Sequence, residues 1–260
     1  MDKKIITLLT DFGYSDYYVA AIKGTILSKL TDVNIVDISH DVTPFSIREA
    51  GFILGNCYKF FPEGTIHIIG INSEASINTP HILVKAANQY FIAADNGILP
   101  MALNNIEMEI FEIDYIQDSP VFTFSSKDVF AEIAVLIASG QDYSQYTNKL
   151  NGFNKNYLMS QPVVDGDLLK GHVLFIDNYR NIITNITRDI FYDFVRKSSF
   201  EILFKSDDIT KISKAYSDVR IAEIAVFFGS HGYMEIAMYK ANAADLLGID
   251  YNSNILVQRK

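Results

Sequence analysis

The residues of this chain that could do chemistry are polar side chains at the ends of predicted strands. Asp11 and Asp16 flank a turn after the apolar run 5–9, and the segment 95–97 (DNG) follows another apolar stretch. Ligands of open parallel sheets usually bind at this carboxyl edge, where carboxylates accept bonds from hydroxyl and ammonium donors. The same residues have plain structural alternatives, a helix cap or turn at Asp16 and a type I′ hairpin at 95–97.

Three further polar segments lie next to apolar stretches. Residues 123–128 (TFSSKD) lead into a helical pattern, either as an N-cap run or as an anion-tolerant helix start with hydroxyl donors. Residues 177–181 (DNYRN) and 229–233 (GSHGY) interrupt apolar strands and are hairpin turns by default. Acid, aromatic, amide and hydroxyl groups fall within a few residues in these two turns, which makes them candidate ligand-binding loops.

Several classes of protein are excluded by composition and by missing motifs. The chain has no P-loop, GxGxxG, HExxH or GxSxG motif, and its five histidines lack helical i,i+3 or i,i+4 pairing. With Cys57 as the one cysteine, neither a metal site nor a disulfide is expected, and His67 is expected to be a core residue. A net charge of −9 argues against nucleic-acid binding. With no long apolar run or signal peptide, a cytoplasmic protein away from membranes is predicted.

The elements that must position these residues alternate in the first part of the chain. Strands are predicted at 5–9, 34–38 and 65–71, and helices at 17–29 and 45–60. This order is typical of an α/β domain with a parallel sheet and crossover helices. A strand pair is predicted at 81–86 and 89–93, and a later helix is predicted at 128–139.

The second part has short predicted strands with turns between them, and it follows a polar stretch that is nearly without apolar periodicity. We predict an α/β domain over 1–148, a linker over 149–162 and a small C-terminal antiparallel β-barrel domain over 163–260. Its six short strands are predicted at 171–176, 182–186, 200–204, 221–228, 233–238 and 255–257, with one helical turn at 241–247.

Five ordered blocks carry a resemblance to a known family. They are 10–16 (TDFGYSD) with 39–45 (SHDVTPF), 60–65 (FFPEGT), 95–99 (DNGIL), 177–186 (DNYRNIITNI) and 229–237 (GSHGYMEIA). In these blocks the chain resembles the S-adenosylmethionine (SAM) hydroxide adenosyltransferase family, which also contains the SAM-dependent fluorinase and chlorinase. The resemblance implies the same two-domain fold. It also implies a homotrimer that holds SAM between the first domain of one subunit and the second domain of its neighbour.

The resemblance also implies ligand contacts in both domains. In the first domain Asp11 would take both ribose hydroxyls, and Asp16 would lie near the methionine ammonium. Phe45 would form an aromatic wall, Asn96 a polar contact, and Ser126 falls on the serine that contacts halide in the fluorinase.

Contacts of the second domain are implied at Asp177, Tyr179, Asn181, Ser230, His231 and Ala243. Asp177 matches an acid of the second domain, Asn181 would read adenine through its amide, and Tyr179 stands where a Phe stacks on adenine. Ser230 would contact the methionine carboxylate, and a backbone carbonyl at Ala243 the adenine amino group. His231 replaces an Arg of the fluorinase.

The chemistry departs from the family pattern at three positions. Where hydrolytic members have an Asp, an Arg and a His, this chain has Asn72, Thr79 and Ser125, and none of these is a base near neutral pH. Glu74 and His81 are the nearby groups that could substitute. Three functions stay open: a SAM hydrolase releasing adenosine and L-methionine, a noncatalytic SAM or adenosine binder, and transfer to another nucleophile such as halide. No cofactor is expected beyond SAM itself as substrate.

Overall fold

The computed structural model describes residues 3–155, 161–203 and 208–260. The chain divides into two units, Met1–Leu158 and Met159–Lys260.

A seven-stranded mixed sheet organises the first unit, in the order β2-β1-β3-β5-β4-β6-β7. Its strands are β1 Lys4–Thr10, β2 Val33–Ser39, β3 Ile66–Gly70, β4 His81–Ala86, β5 Gln89–Ala94, β6 Met108–Ile113 and β7 Thr147–Leu150. The pairs β1–β2, β1–β3 and β3–β5 are parallel, whereas β4, β6 and β7 pair antiparallel. The helices are α1 Tyr18–Lys29, α2 Ile47–Cys57, α3 Ile98–Ala102 and α4 Ala131–Ala138.

Both faces of this sheet are covered, which explains the near-continuous apolar run of β1. Side chains alternate along a strand. Leu8 therefore packs in the cluster that contains Ile22 of α1 and Ile133 of α4, while Leu9 packs with Leu54 of α2 on the opposite face. The predicted α/β class with parallel strands is confirmed.

The second unit is a nearly closed, antiparallel, barrel-like sheet. Its order is β12-β11-β15-β9-β10-β14-β13, with β8 paired to β9. The strands are β8 Val163–Asp165, β9 Leu168–Ile176, β10 Ile182–Thr187, β11 Phe200–Leu203, β12 Asp208–Ile209, β13 Ile224–Phe228, β14 Tyr233–Met238 and β15 Asn254–Arg259. Two helices, α5 Arg188–Val195 and α6 Ala243–Leu247, complete the unit.

Some local predictions were wrong. The segment 95–97 is no hairpin: Gly97, at φ 103°, turns the chain from β5 directly into α3. The helix predicted from residue 128 is extended at its start by a π-helical turn, Ser126–Phe130. The polar strand β7 pairs with β6 at the sheet edge, so the first two residues of the predicted 149–162 linker belong to the sheet.

Candidate functional site

Asp11 and Phe45 meet at the carboxyl edge of β1. The Phe45 backbone N–H donates to Asp11 Oδ2 at 2.8 Å, and burial raises the pKa of the Asp11 carboxyl. Phe45 has φ 65°, and its side chain is 72% exposed. A bulky residue held in the left-handed region with its ring in solvent is strained, and such strain concentrates at binding sites.

A buried histidine fixes the loop that carries Asp11. His40 Nδ1 lies 2.6 Å from the hydroxyl of Thr10, and the His40 carbonyl accepts the Gly13 N–H at 2.8 Å. On its other side His40 Nε2 is 3.1 Å from Asp37 Oδ1. Burial raises the pKa of Asp37, but the hydrogen bond from Lys23 (2.6 Å) and the histidine outweigh it and leave that pKa lowered.

Asp16 is exposed at the start of α1, and its Oδ1 accepts the Tyr18 N–H at 3.1 Å. The N-cap residue of α1 is Tyr17, so Asp16 lies one residue before the cap and accepts the first N–H of the helix. Its role toward a ligand ammonium stays a prediction.

Asn96 ties two loops of this edge together. Its amide nitrogen donates to the carbonyls of Ile71 (2.9 Å) and Asn72 (3.2 Å), and its Oδ1 accepts the Ile98 N–H at 3.3 Å. The side chain is buried, at 3% exposure. These bonds give Asn96 a structural role in holding the loop after β3, and a ligand contact at this residue stays a prediction.

The three positions that replace the Asp–Arg–His set lie on two segments. Asn72, exposed and at φ 45°, and Thr79, which is 2.6 Å from the Ser76 hydroxyl, belong to the loop between β3 and β4. Ser125 is buried at the start of the π-helical turn. The two segments contact each other through two other residues, Ser73 and Ser126, whose hydroxyl oxygens are 3.1 Å apart.

The two candidate substitute bases differ in environment. His81 Nε2 donates to the Ser73 carbonyl at 2.9 Å, and its ring packs edge-on against Phe130. Burial lowers the pKa of His81, against the opposing effect of the bond to the Ser73 carbonyl, and so favours the neutral ring. Glu74 is exposed in the loop.

In the second unit, Asp177 and Asn181 close the loop between β9 and β10. Asp177 Oδ1 accepts the Asn181 N–H at 2.7 Å, and Oδ2 accepts its side-chain amide at 2.9 Å. Tyr179, at the tip of this loop, is 79% exposed. The loop borders a cleft of about 780 Å³ that Tyr179, Asn181, Tyr216, Tyr239 and Asn242 help to line. Ala243 is buried as the first residue of α6.

A hydrogen-bonded group of three residues supports the wall of this cleft. The Tyr216 hydroxyl donates to Glu235 Oε1 at 2.7 Å, and His231 Nε2 lies 3.1 Å from Glu235 Oε2. Because His231 Nδ1 accepts the Tyr233 N–H at 3.1 Å, the ring proton is on Nε2 and is donated to Glu235. His231 is therefore engaged with a carboxylate of its own chain, while Ser230 beside it is exposed.

Glu235 and Tyr216 were missed in the sequence. Burial and the bond to Glu235 raise the pKa of Tyr216. The available signal was the acid itself, which interrupts an otherwise apolar strand, β14, and is only 5% exposed. A buried acid in such a strand requires partners.

The described residues contain neither a candidate metal site nor a candidate membrane span. Over residues 3–155, 161–203 and 208–260, no cluster of three or more His, Cys, Asp or Glu side chains could hold a metal ion. Within those same ranges, no helix is both long and apolar enough to cross a membrane.

Comparison with known proteins gives matches along nearly the whole chain. Residues 6–147 match the family model of the SAM hydroxide adenosyltransferase N-terminal domain, and residues 171–256 match that of the C-terminal domain. A protein of Methanocaldococcus jannaschii named (R)-S-adenosyl-L-methionine hydrolase is 30% identical, over 96% of this chain and 94% of its own. A fluorinase of Actinopolyspora mzabensis is 24% identical, over 99% and 98%. The crystal structure of an uncharacterized conserved protein from Thermotoga maritima aligns with TM-score 0.87 and 28% identity, over 98% of this chain and all of that one.

Proposed function

The chain belongs to the SAM hydroxide adenosyltransferase family, and from this premise we propose that it hydrolyses SAM to adenosine and L-methionine. The observation that carries the proposal is the full-length similarity to relatives named as hydrolases of this substrate, among them one that is 30% identical. Both halves of the chain take part in that similarity, so neither domain is a fusion to an unrelated one.

The substrate contacts form the second part of the proposal. Asp11, with the backbone N–H of Phe45 holding one oxygen, presents its carboxylate to the ribose diol, and a carboxylate accepts two hydroxyl bonds at once. The exposed rings of Phe45 and Tyr179 offer flat apolar surfaces to the nucleoside. Asp177 and Asn181 belong to the adenine contact, while Asp16 and Ser230 serve the amino-acid end. A SAM sulfonium and ammonium both carry positive charge, which suits this acidic chain.

The reaction is a displacement at C5′. A water oxygen bonds to C5′ as the C5′–S bond breaks, the bonding electron pair goes to sulfur, and the second proton of the attacking water passes to solvent. Because the sulfonium is already a good leaving group, holding water in line and excluding bulk solvent supply much of what is needed. Asn72, Thr79 and Ser125 provide no general base, which typically costs about 10²- to 10⁴-fold in rate. Turnover is therefore slow.

The relatives' name specifies the sulfonium configuration, and we extend it to this chain. The preferred substrate is the (R)-sulfonium diastereomer, which arises from ordinary SAM by inversion at sulfur. Separated diastereomers offered at equal concentration test this point: faster consumption of the (R) form supports it, and equal or slower consumption contradicts it.

A noncatalytic SAM or adenosine binder is the second candidate. The observation that favours it is the replacement of all three family positions by Asn72, Thr79 and Ser125. Transfer to halide is the third, favoured by Ser126 and by similarity to proteins named fluorinase.

One incubation separates these candidates. Purified protein is incubated with SAM, with and without chloride, and the products are resolved by chromatography. Adenosine formation in both arms supports the hydrolase, while 5′-chloro-5′-deoxyadenosine in the chloride arm supports halide transfer. Intact SAM with measurable binding by calorimetry supports the binder.

Assembly and location complete the proposal. The protein is a cytoplasmic homotrimer in which neighbouring subunits share each SAM site, because that is the arrangement the family resemblance implies. Light scattering at micromolar concentration should give three times the 29.3 kDa chain mass. A monomer mass would contradict the assembly and leave the hydrolase assignment to its own test.

A further inference from the structure

We propose that His40 is a positioning residue for the ribose contact: its buried imidazole, acting through Thr10, fixes the turn that aims the Asp11 carboxylate. This inference rests on the ribose contact of the proposed function and adds to it the residues on which that contact depends. His40 does not itself reach a substrate, because its side chain is only 1% exposed. It acts by joining the ends of β1 and β2, the strands that lead to Asp11 and to Phe45.

The pairing of β1 with β2 brings His40 beside Thr10. The register of this parallel pair shifts just before Leu9, so that Leu9 pairs with Ser39. Shifts of this kind re-aim side chains and are common next to active sites. Thr10 and His40 are the next residues on the two chains, and Thr10 Oγ1 lies 2.6 Å from His40 Nδ1.

This pair holds the turn after β1 at two successive residues. Thr10 Oγ1 accepts the Phe12 N–H at 3.4 Å, and the His40 carbonyl accepts the Gly13 N–H at 2.8 Å. Asp11 lies between Thr10 and Phe12 in the chain. The backbone on both sides of the carboxylate is therefore fixed by the Thr10–His40 pair.

The segment that follows β2 ends on the same carboxylate. Phe45 lies five residues after His40, and its N–H donates to Asp11 Oδ2 at 2.8 Å. His40 thus anchors both partners of this bond, the Asp11 turn through Thr10 and the Phe45 segment through its own backbone. A displaced imidazole would move the carboxylate relative to Phe45 and to the ribose hydroxyls it is proposed to bind.

The far side of the His40 ring is anchored by a charged pair. Its Nε2 is 3.1 Å from Asp37 Oδ1, and Asp37 Oδ2 accepts a hydrogen bond from Lys23 at 2.6 Å. Because a carboxylate only accepts, the ring nitrogen that faces it carries a proton, and Nδ1 of the neutral ring accepts the Thr10 hydroxyl hydrogen. This direction leaves a lone pair on Thr10 Oγ1 for the Phe12 N–H.

The test measures how strongly the protein prefers adenosine to 2′,3′-dideoxyadenosine, which lacks the two hydroxyls that Asp11 is proposed to bind. Calorimetry gives the two Kd values, and the parent should bind adenosine at least ~10-fold more tightly, as for hydrogen bonds to a charged group. Thr10→Val keeps the shape of the side chain but removes its hydroxyl. It should lower the preference to about threefold or less by raising the Kd of adenosine, with the Kd of dideoxyadenosine changed less than about twofold. Thr10→Ser keeps the hydroxyl and should retain the parent's preference.

Thr7→Val is the matched control. Thr7 is also fully buried on β1, and its hydroxyl lies 2.7 Å from His67 Nδ1, as that of Thr10 does from His40. The variant removes the same kind of buried bond from the same strand, away from the Asp11 turn. It should therefore keep the parent's preference for adenosine.

Each result decides the positioning role. Thr10→Val with the parent's preference overturns it and leaves the ribose contact standing, and so does an equal loss in Thr7→Val, which would indicate a general loosening of β1. Should Thr10→Val not fold, Lys23→Met decides: loss of the cation that holds Asp37 should lower the preference at least about threefold, and an unchanged preference overturns the role. A parent that binds both nucleosides equally, or neither, overturns the proposed ribose contact and this inference together. The hydrolase assignment keeps its own test in the incubation with SAM.

Discussion

The buried imidazole of His67 should make the protein sensitive to mild acid. Gln89 donates its side-chain amide to the carbonyls of Phe61 and Tyr58, at 2.8 and 3.3 Å, so its Oε1 faces His67 Nε2 at 3.0 Å. Nε2 must therefore carry the ring proton, and Nδ1 accepts from the Thr7 hydroxyl at 2.7 Å. No site is left for a second proton without breaking one of these bonds.

Burial lowers the pKa of His67 to about 4 from 6.5, with the bond to Gln89 opposing that shift. As the pH falls through 6.5, His67 takes up a proton in the unfolded chain but not in the folded chain. The free energy of unfolding therefore falls between about pH 6.5 and 4. The linkage relation gives a loss of about 2 kcal/mol between pH 7.5 and pH 5.0, approaching roughly 3 kcal/mol below pH 4.

The assay is urea unfolding at pH 7.5 and 5.0 for the parent and for His67→Gln. Glutamine keeps a donor and an acceptor at this position but does not titrate. The pH-dependent loss should be about 2 kcal/mol smaller in the variant than in the parent. Equal losses in the two proteins would refute the reasoning. Should His67→Gln not fold, an NMR titration of the parent decides: a His67 ring that titrates near pH 6.5 refutes it equally.

Three further predictions concern the proposed SAM site. Asp11→Ala should weaken SAM binding by about 1.5–3 kcal/mol in calorimetry, as for other charged hydrogen bonds. The control variant Asp142→Ala, which removes an exposed acid, should not weaken it. Equal affinities of Asp11→Ala and the parent would remove Asp11 from the site. Tyr179→Ala should weaken binding by about 1–3 kcal/mol through lost stacking on the base, and an unchanged Kd would contradict a stacking role. Asn72→Asp should raise kcat toward the ~10²-fold low end of general-base effects, and Asp also tolerates the left-handed φ at this position. A kcat equal to that of the parent would show that the chemistry does not lack a base there.

Apolar periodicity was sufficient to predict the strands and helices that alternate at the start of the chain. The strand–helix alternation of the first 71 residues predicted the parallel pairing of β1, β2 and β3. It failed for β6 and β7, because these strands lie at the antiparallel side of the sheet and carry polar residues such as Glu109 and Lys149, which pair with each other at 2.8 Å. β7 is the edge strand at this side of the sheet, and its short polar sequence resembles a loop.

Candidate ligand residues followed from motifs, but the groups that hold them did not. Asp11, Asn96 and Asn181 each lie in a sequence block that carries the family resemblance. Ser73 meets Ser126 across 53 positions, and His40 meets Thr10 across 30. Only the pairing of strands brings such residues together, so local spacing gives no sign of them.

The central claim is that this chain hydrolyses SAM by attack of water at C5′, and product analysis in ¹⁸O-labelled water tests it most directly. Mass spectrometry should find adenosine carrying one ¹⁸O atom at its 5′ position, together with unlabelled methionine. SAM that stays intact through prolonged incubation would contradict the claim. Formation of 5′-methylthioadenosine with labelled homoserine would contradict it as well, because the water would then have attacked the amino-acid carbon instead.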